Sequence, residues 1–176
     1  MKVADTHADG IHVTYGSKDL LFYGCSVARS GDDGFAVVSY RGDNIVCASI
    51  HTDSLLIHQP ASRALSIVGG IDIKHYRPRL HQSSAAAIYV QSEASYDTYG
   101  VRDWCIRDFL AIGCVTGQGL DANFLQPVIL IEGRDGVAPS AEGDVPLDVV
   151  DGVLSGRVFG VGARASAGLT SHSLYI

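Results

Sequence analysis

His51-Thr52-Asp53-Ser54, with His58 close behind, sets a base, a carboxylate and a hydroxyl in one short stretch. These groups make up a nucleophilic hydrolase, in which a histidine takes the proton of a serine or cysteine and a carboxylate orients the histidine. Side chains alternate along an extended strand, so His51 and Asp53 share a face that Ser54 does not. The nucleophile then has to come from elsewhere, and Cys105, Cys114 or another serine are the candidates. No Gly-x-Ser-Gly or Gly-x-Cys-Gly run sets a nucleophile beside oxyanion-binding amides. A small β-barrel hydrolase built on His51 and Asp53 is therefore the alternative reading of the chain, and a non-catalytic role is favoured.

Metal chemistry has scattered donors: His51, His58, His75 and His81, and the carboxylates Asp144, Asp148 and Asp151. Neither CxxC pairs nor an EF-hand loop gives them a recognisable spacing, so no metal or cofactor is expected. Asp5-Thr6-His7 resembles the first-strand metal motif of amidohydrolase-type barrels. However, Asp9 stands where the second histidine belongs, and 176 residues fall short of an eight-fold barrel. Gly160-Val161-Gly162 lacks the strand and helix context of a dinucleotide fingerprint. Arg41-Gly42-Asp43 matches the integrin-binding tripeptide, but Gly-Asp-Asn is ordinary turn material.

Charge narrows the partners. A net charge of -6 and a pI near 5.5 leave no clustered basic surface for phosphate neutralisation, so no nucleic-acid partner is expected. Only 18% of residues are charged, against the roughly 25% of a typical soluble domain, which points to a surface partly covered by partners. No apolar run reaches the ~20 residues of a membrane span. Acids near the N-terminus occupy the place of a secretory signal's apolar core. A cytoplasmic site of synthesis and no membrane contact are the expectations. Cys25, Cys47, Cys105 and Cys114 sit among apolar residues and read as buried thiols.

These groups would be held by β structure. Gly34 to Leu56 reads as a hairpin turned by Arg41-Gly42-Asp43-Asn44, with strands apolar on both faces. Strands are expected over Ile11–Tyr15, Leu20–Ala28, Ser54–Ile57, Ala64–Val68, Ile71–Ile73, Ser83–Val90, Phe124–Glu132, Val153–Ala163 and Ser173–Ile176. Val101, Trp104, Cys105, Phe109 and Ile112 recur at helical spacing and predict a helix over 101–112. The fold class expected is mainly β: an antiparallel β-sandwich or partly closed barrel with one packed α-helix, in a single domain over 1–176.

Gly133 to Gly152, acidic and proline-bearing, reads as a long arm. Val145, Leu147, Val149 and Val150 would lie on the sheet edge of a neighbouring subunit. Low charge, two-faced strands and the arm together favour a structural subunit of a homo-oligomeric, virion-like particle, of the phage capsid-decoration, tail or connector type. Its partners would be copies of itself and other assembly subunits, and its final location the virion.

Overall fold

The computed structural model describes residues 1–117, 126–132 and 149–159, together with strand segments at 165–167 and 174–175. Its strands, in chain order, are β1 (Lys2–Ala4), β2 (Ile11–Val13), β3 (Lys18–Tyr23), β4 (Ser26–Ala28), β5 (Phe35–Val38), β6 (Ala48–Asp53), β7 (Leu56–His58), β8 (Leu65–Val68), β9 (Gly70–Tyr76), β10 (Arg79–His81), β11 (Ile88–Gln91), β12 (Val101–Ile112), β13 (Ile129–Glu132), β14 (Val149–Phe159), β15 (Ala165–Ala167) and β16 (Leu174–Tyr175). Every pair of these strands is parallel.

Up to β9 each strand pairs with the one three places on, and from β10 with the one two places on, because the long β12 and β14 each cover two sides of a coil; the coils stack. In one sheet β2, β5, β8, β11, β13 and β15 follow one another. The other sheet turns a corner: β1, β4, β7 and β10 form one side and β3, β6 and β9 the other, joined by β12, whose Val101–Arg107 pairs with β9 and Leu110–Ile112 with β10. This is a parallel β-solenoid, in which each coil buries its apolar side chains against the next. The expected antiparallel sandwich with a packed helix is thereby corrected. The strands run parallel, and the only regular helical element among the described residues is a 3-10 turn at Arg41–Asp43.

The core is a set of vertical stacks. Ile11, Phe35, Leu65, Ile88 and Ile129 form one column and Val13, Val37, Ile67, Val90 and Ile131 another. Val27, Ile57, Leu80 and Ala111 line the next side. Trp104 packs against Gly152 on the following coil, where a Cβ would sit 1.9 Å from its ring, so only glycine admits the indole.

Corners are made by single residues in the left-handed region, stacked coil on coil. Asp5, Arg29, Gln59, Gln82 and Gly113 form one such column; each donates its N–H to the next coil, from Asp5 to the Ala28 carbonyl through Gly113 to that of Phe159. Asp19, Ser49, Asp72, Asp103 and Asp151 form a second, and Gly24, Ser54, Arg77 and Asp108 a third. Aspartate tolerates this conformation better than most residues, which accounts for its frequency there.

These corners explain two corrections. In β12, Asp103 and Asp108 each insert one residue into an alternating strand, so inward positions fall at Val101, Trp104, Ile106, Phe109 and Ala111. A strand that skips a residue at each corner spaces its apolar side chains by three as well as two, and so imitates a helical stripe. In the Gly34 to Leu56 stretch, β5 and β6 lie in different sheets and pair with neighbouring coils instead of with each other. The turn between them is present, but it rounds a corner and does not close a hairpin. Burial of β5 on both faces is found as expected: all four of its residues are buried.

Candidate functional site

The outer face of the β2–β5–β8–β11 sheet carries a cleft of about 150 Å³ lined by carboxylates, tyrosines and one arginine. Its foundation is a fourth column, one residue per coil. Asp9, Asp33 and Arg63 each precede a small residue that leads into a strand of the sheet, and the N–H groups of Gly10 and Gly34 donate to the carbonyls of Asp33 and Arg63. Glycine is needed beside both aspartates. A Cβ at Gly10 would lie 2.6 Å from the Gly34 carbonyl oxygen, and one at Gly34 would lie 2.7 Å from that of Ala64.

The aspartate side chains bridge the coils. Asp9 accepts the N–H of Asp33 at 3.0 Å, and Asp33 accepts that of Arg63 at 2.9 Å and the Ser66 hydroxyl at 2.6 Å. With the exposed Asp32, they place three carboxylates within 4.8 Å of one another. His12 lies 2.5 Å from Asp9. The Arg63 guanidinium stacks 4.1 Å above the centre of the Tyr89 ring, 3.8 Å from both Asp33 and Glu93. The Tyr89 hydroxyl donates to Glu93 at 2.6 Å.

Electrostatics separate these groups. Burial pushes the Asp33 carboxyl up to about 6 against the pull of Arg63 and the Ser66 bond. Asp32 is also raised, by partial burial and then by the charge of Asp9. The bond to Asp9 raises His12. Burial and Glu93 hold the Tyr89 phenol protonated. Neighbouring carboxyl groups whose proton affinities are driven upward by burial and mutual repulsion are suited to give and take protons near neutral pH.

The residues singled out from the sequence lie elsewhere. His51 is on the outer face of β6, 3.1 Å from Asp72, and Asp53 is paired with Arg77. In register, His51 neighbours Lys74, and Lys74 neighbours Cys105, so the thiol lies two strands from the imidazole, about 9 to 10 Å across the ladder. Burial raises the Cys105 thiol, the opposite of an activated nucleophile. Cys114 is buried with its Sγ 3.5 Å from the Leu80 carbonyl. The structure does not bring a base, carboxylate and thiol together there.

Other sequence candidates are likewise dispersed. His58 and His81 stack on an outer face with ring centres 6.3 Å apart, and His75 is wholly interior, bonded to Thr52 at 2.8 Å. Arg41 of the Arg-Gly-Asp run lies over the Tyr99 ring and 3.8 Å from Asp97. Asp151 occupies a corner of β14. Val149 and Val150 open β14, opposite Val101 and Arg102 of the same chain, while Val145, Leu147, Asp144 and Asp148 lie outside the described residues.

In the sequence Asp9 stands out only as a missing histidine, and Asp32 and Asp33 do not stand out at all. The available signal was a repeat: Asp9-Gly10-Ile11-His12-Val13, Asp33-Gly34-Phe35-Ala36-Val37 and Arg63-Ala64-Leu65-Ser66-Ile67 share one pattern of polar, small, apolar, variable, apolar. Searches against family models, characterised proteins and solved structures find no match to this chain.

Proposed function

We propose that the chain is a solenoid hydrolase that cleaves a glycosidic bond in the cleft built by Asp9, Asp32 and Asp33. One observation carries this reading: three carboxylates within 4.8 Å in one cleft, two of them with raised proton affinity. Paired carboxyl groups of unequal proton affinity are the machinery of glycoside hydrolysis, and a closely spaced pair works as acid and nucleophile. Asp32, exposed and raised, gives its proton to the bridging oxygen as the bond from that oxygen to the anomeric carbon breaks. Asp9, within 4.8 Å of Asp32 and so too close to leave room for a water between them, bonds to that carbon as nucleophile, and a water that gives its proton to Asp32 then displaces Asp9 from the carbon. One water is consumed and one reducing end appears. Asp33 is too buried to reach the bond; the bonds it accepts from the Arg63 N–H and the Ser66 hydroxyl fix the column. Incubating the chain with a panel of polysaccharides and measuring reducing ends tests the reading. Release by the native chain that is lost in Asp32→Asn is expected, and no release from any polysaccharide overturns it.

A second reading is self-assembly, of which a virion-like particle is one form. It is favoured by the edge of the first coil, where β3 pairs with β6 and with no other strand among the described residues. Leu20 and Phe22 point inward there yet are only half-buried, and Tyr15, Leu21 and Tyr23 are exposed. An apolar, unpaired strand edge is a template for pairing with another chain. No helix among the described residues is long and apolar enough to cross a membrane. Replacing Leu21 and Tyr23 by lysine should reduce the mass measured in solution by light scattering; a mass equal to one chain before substitution sinks this reading.

A further inference from the structure

We infer that the saccharide unit held in this cleft is uncharged, and that chains of uronate units are excluded. The inference rests on the hydrolase reading and follows from how the cleft's cations are used. Among the described residues that line it, four carboxyl groups, Asp9, Asp32, Asp33 and Glu93, face one guanidinium and one imidazole. Arg63 is fully engaged: it stands between Asp33 and Glu93, its Nε donates to Gln126 at 3.3 Å, and its plane covers the Tyr89 ring. His12 is held by Asp9. A sugar carboxylate would therefore meet an acidic surface with no uncommitted cation among those residues, and recognition of a carboxylate calls for a free arginine or lysine.

The remaining lining suits an uncharged ring. Ala36, Val38 and Val68 form an apolar floor on the outer sheet face, and Tyr40 and the exposed Tyr96 stand at the rim. Aromatic and aliphatic surface beside a few placed polar groups is the usual composition of a small-molecule cleft. The carbon-bound hydrogens of a pyranose can lie on that surface while its hydroxyls reach the carboxylates.

The test uses matched pairs of chains that differ only in charge: polygalacturonate, polymannuronate and polyglucuronate, each beside its carboxyl-reduced galactan, mannan or glucan. Binding is measured with the full chain carrying Asp32→Asn, and reducing ends with the native chain. The substitution removes one negative charge and so favours the uronates, which makes the comparison stringent. At least one reduced chain should bind with a Kd tenfold or more below that of its uronate form, and the gap should narrow as salt is raised. A uronate bound as tightly as its reduced partner, or no binding to any reduced chain, overturns the inference. Binding of a neutral chain without release of reducing ends would leave the substrate class standing and remove the hydrolase reading. Cleavage of a uronate would do the reverse.

Discussion

Two outer faces of the same solenoid carry comparable numbers of charged side chains and use them differently. On the β6–β9–β12 side the charges form a balanced ladder. Asp72 lies between His51 and Lys74, Lys74 also reaches Asp103 at 3.5 Å, and Arg77 covers Asp53. Burial acts to raise Asp72, but hydrogen bonds from Lys74, Ser49 and His51 outweigh it and hold the carboxyl low. On the β2–β5–β8 side, carboxylates outnumber cations, one aspartate is buried, and the proton affinities of Asp32 and Asp33 rise. Stacking by itself produces ladders of polar side chains. Only where the ladder is unbalanced and partly dehydrated does it acquire the perturbed carboxyl groups that acid–base chemistry requires.

The largest effect expected from breaking this contrast is on turnover. Asp32→Asn and Asp9→Asn should each lower reducing-end release by roughly 10² to 10⁴, whereas Cys105→Ser and His51→Ala leave it unchanged. Equal losses on both faces would show that the two sides are not distinct. Circular dichroism and melting temperature separate loss of activity from loss of fold.

A comparable free energy is at stake in the interior that supports both faces. Trp104→Ala should destabilise the protein by about 3 to 5 kcal/mol through the cavity it leaves. Gly152→Ala, which drives a methyl into the same indole, should cost about 1 to 3 kcal/mol by overpacking. Urea unfolding measures both. A neutral result at Gly152 would mean that the indole does not rest on that glycine.

The pH dependence of stability sharpens the comparison further. Asp33 titrates at about 6 when folded and near 4 when unfolded, so the folded chain holds an extra proton between those values. Its contribution to stability therefore falls as pH rises from about 4 to 6, by about 3 kcal/mol. His75, lowered to about 3 by burial, works in the opposite sense: the unfolded chain holds the extra proton between about 3 and 6.5, and stability falls as pH drops through that window. The two oppose each other between pH 4 and 6. Asp33→Asn should unmask the acid-side loss due to His75, and His75→Asn should leave a protein that gains stability as pH falls from 6 to 4. Parallel unfolding profiles for the two variants would contradict both assignments.

The smallest effect belongs to the balanced face. His51→Ala removes one partner of a half-exposed pair and should change stability by no more than about 1 kcal/mol, less as salt is added. A larger loss, read from the same unfolding curves, would make that ladder a structural support and not a solvated surface.

The sequence by itself determined that the chain is mainly β and that Phe35–Val38 is buried on both faces. It also placed the four cysteines as buried free thiols. Those properties depend on residue type and near neighbours. Strand direction, pairing and the site were decided only in the tertiary structure, because each strand's partner lies a whole coil away, as Ile11 meets Phe35 and Phe35 meets Leu65. Alternation along a strand says which face is buried but not what covers it. The left-handed corners at Asp103 and Asp108 shift that alternation enough to counterfeit a helix. Asp9 and Asp33 look like turn residues because each lies just before a strand, β2 or β5, and only the stacking of one coil on the next brings their carboxylates together.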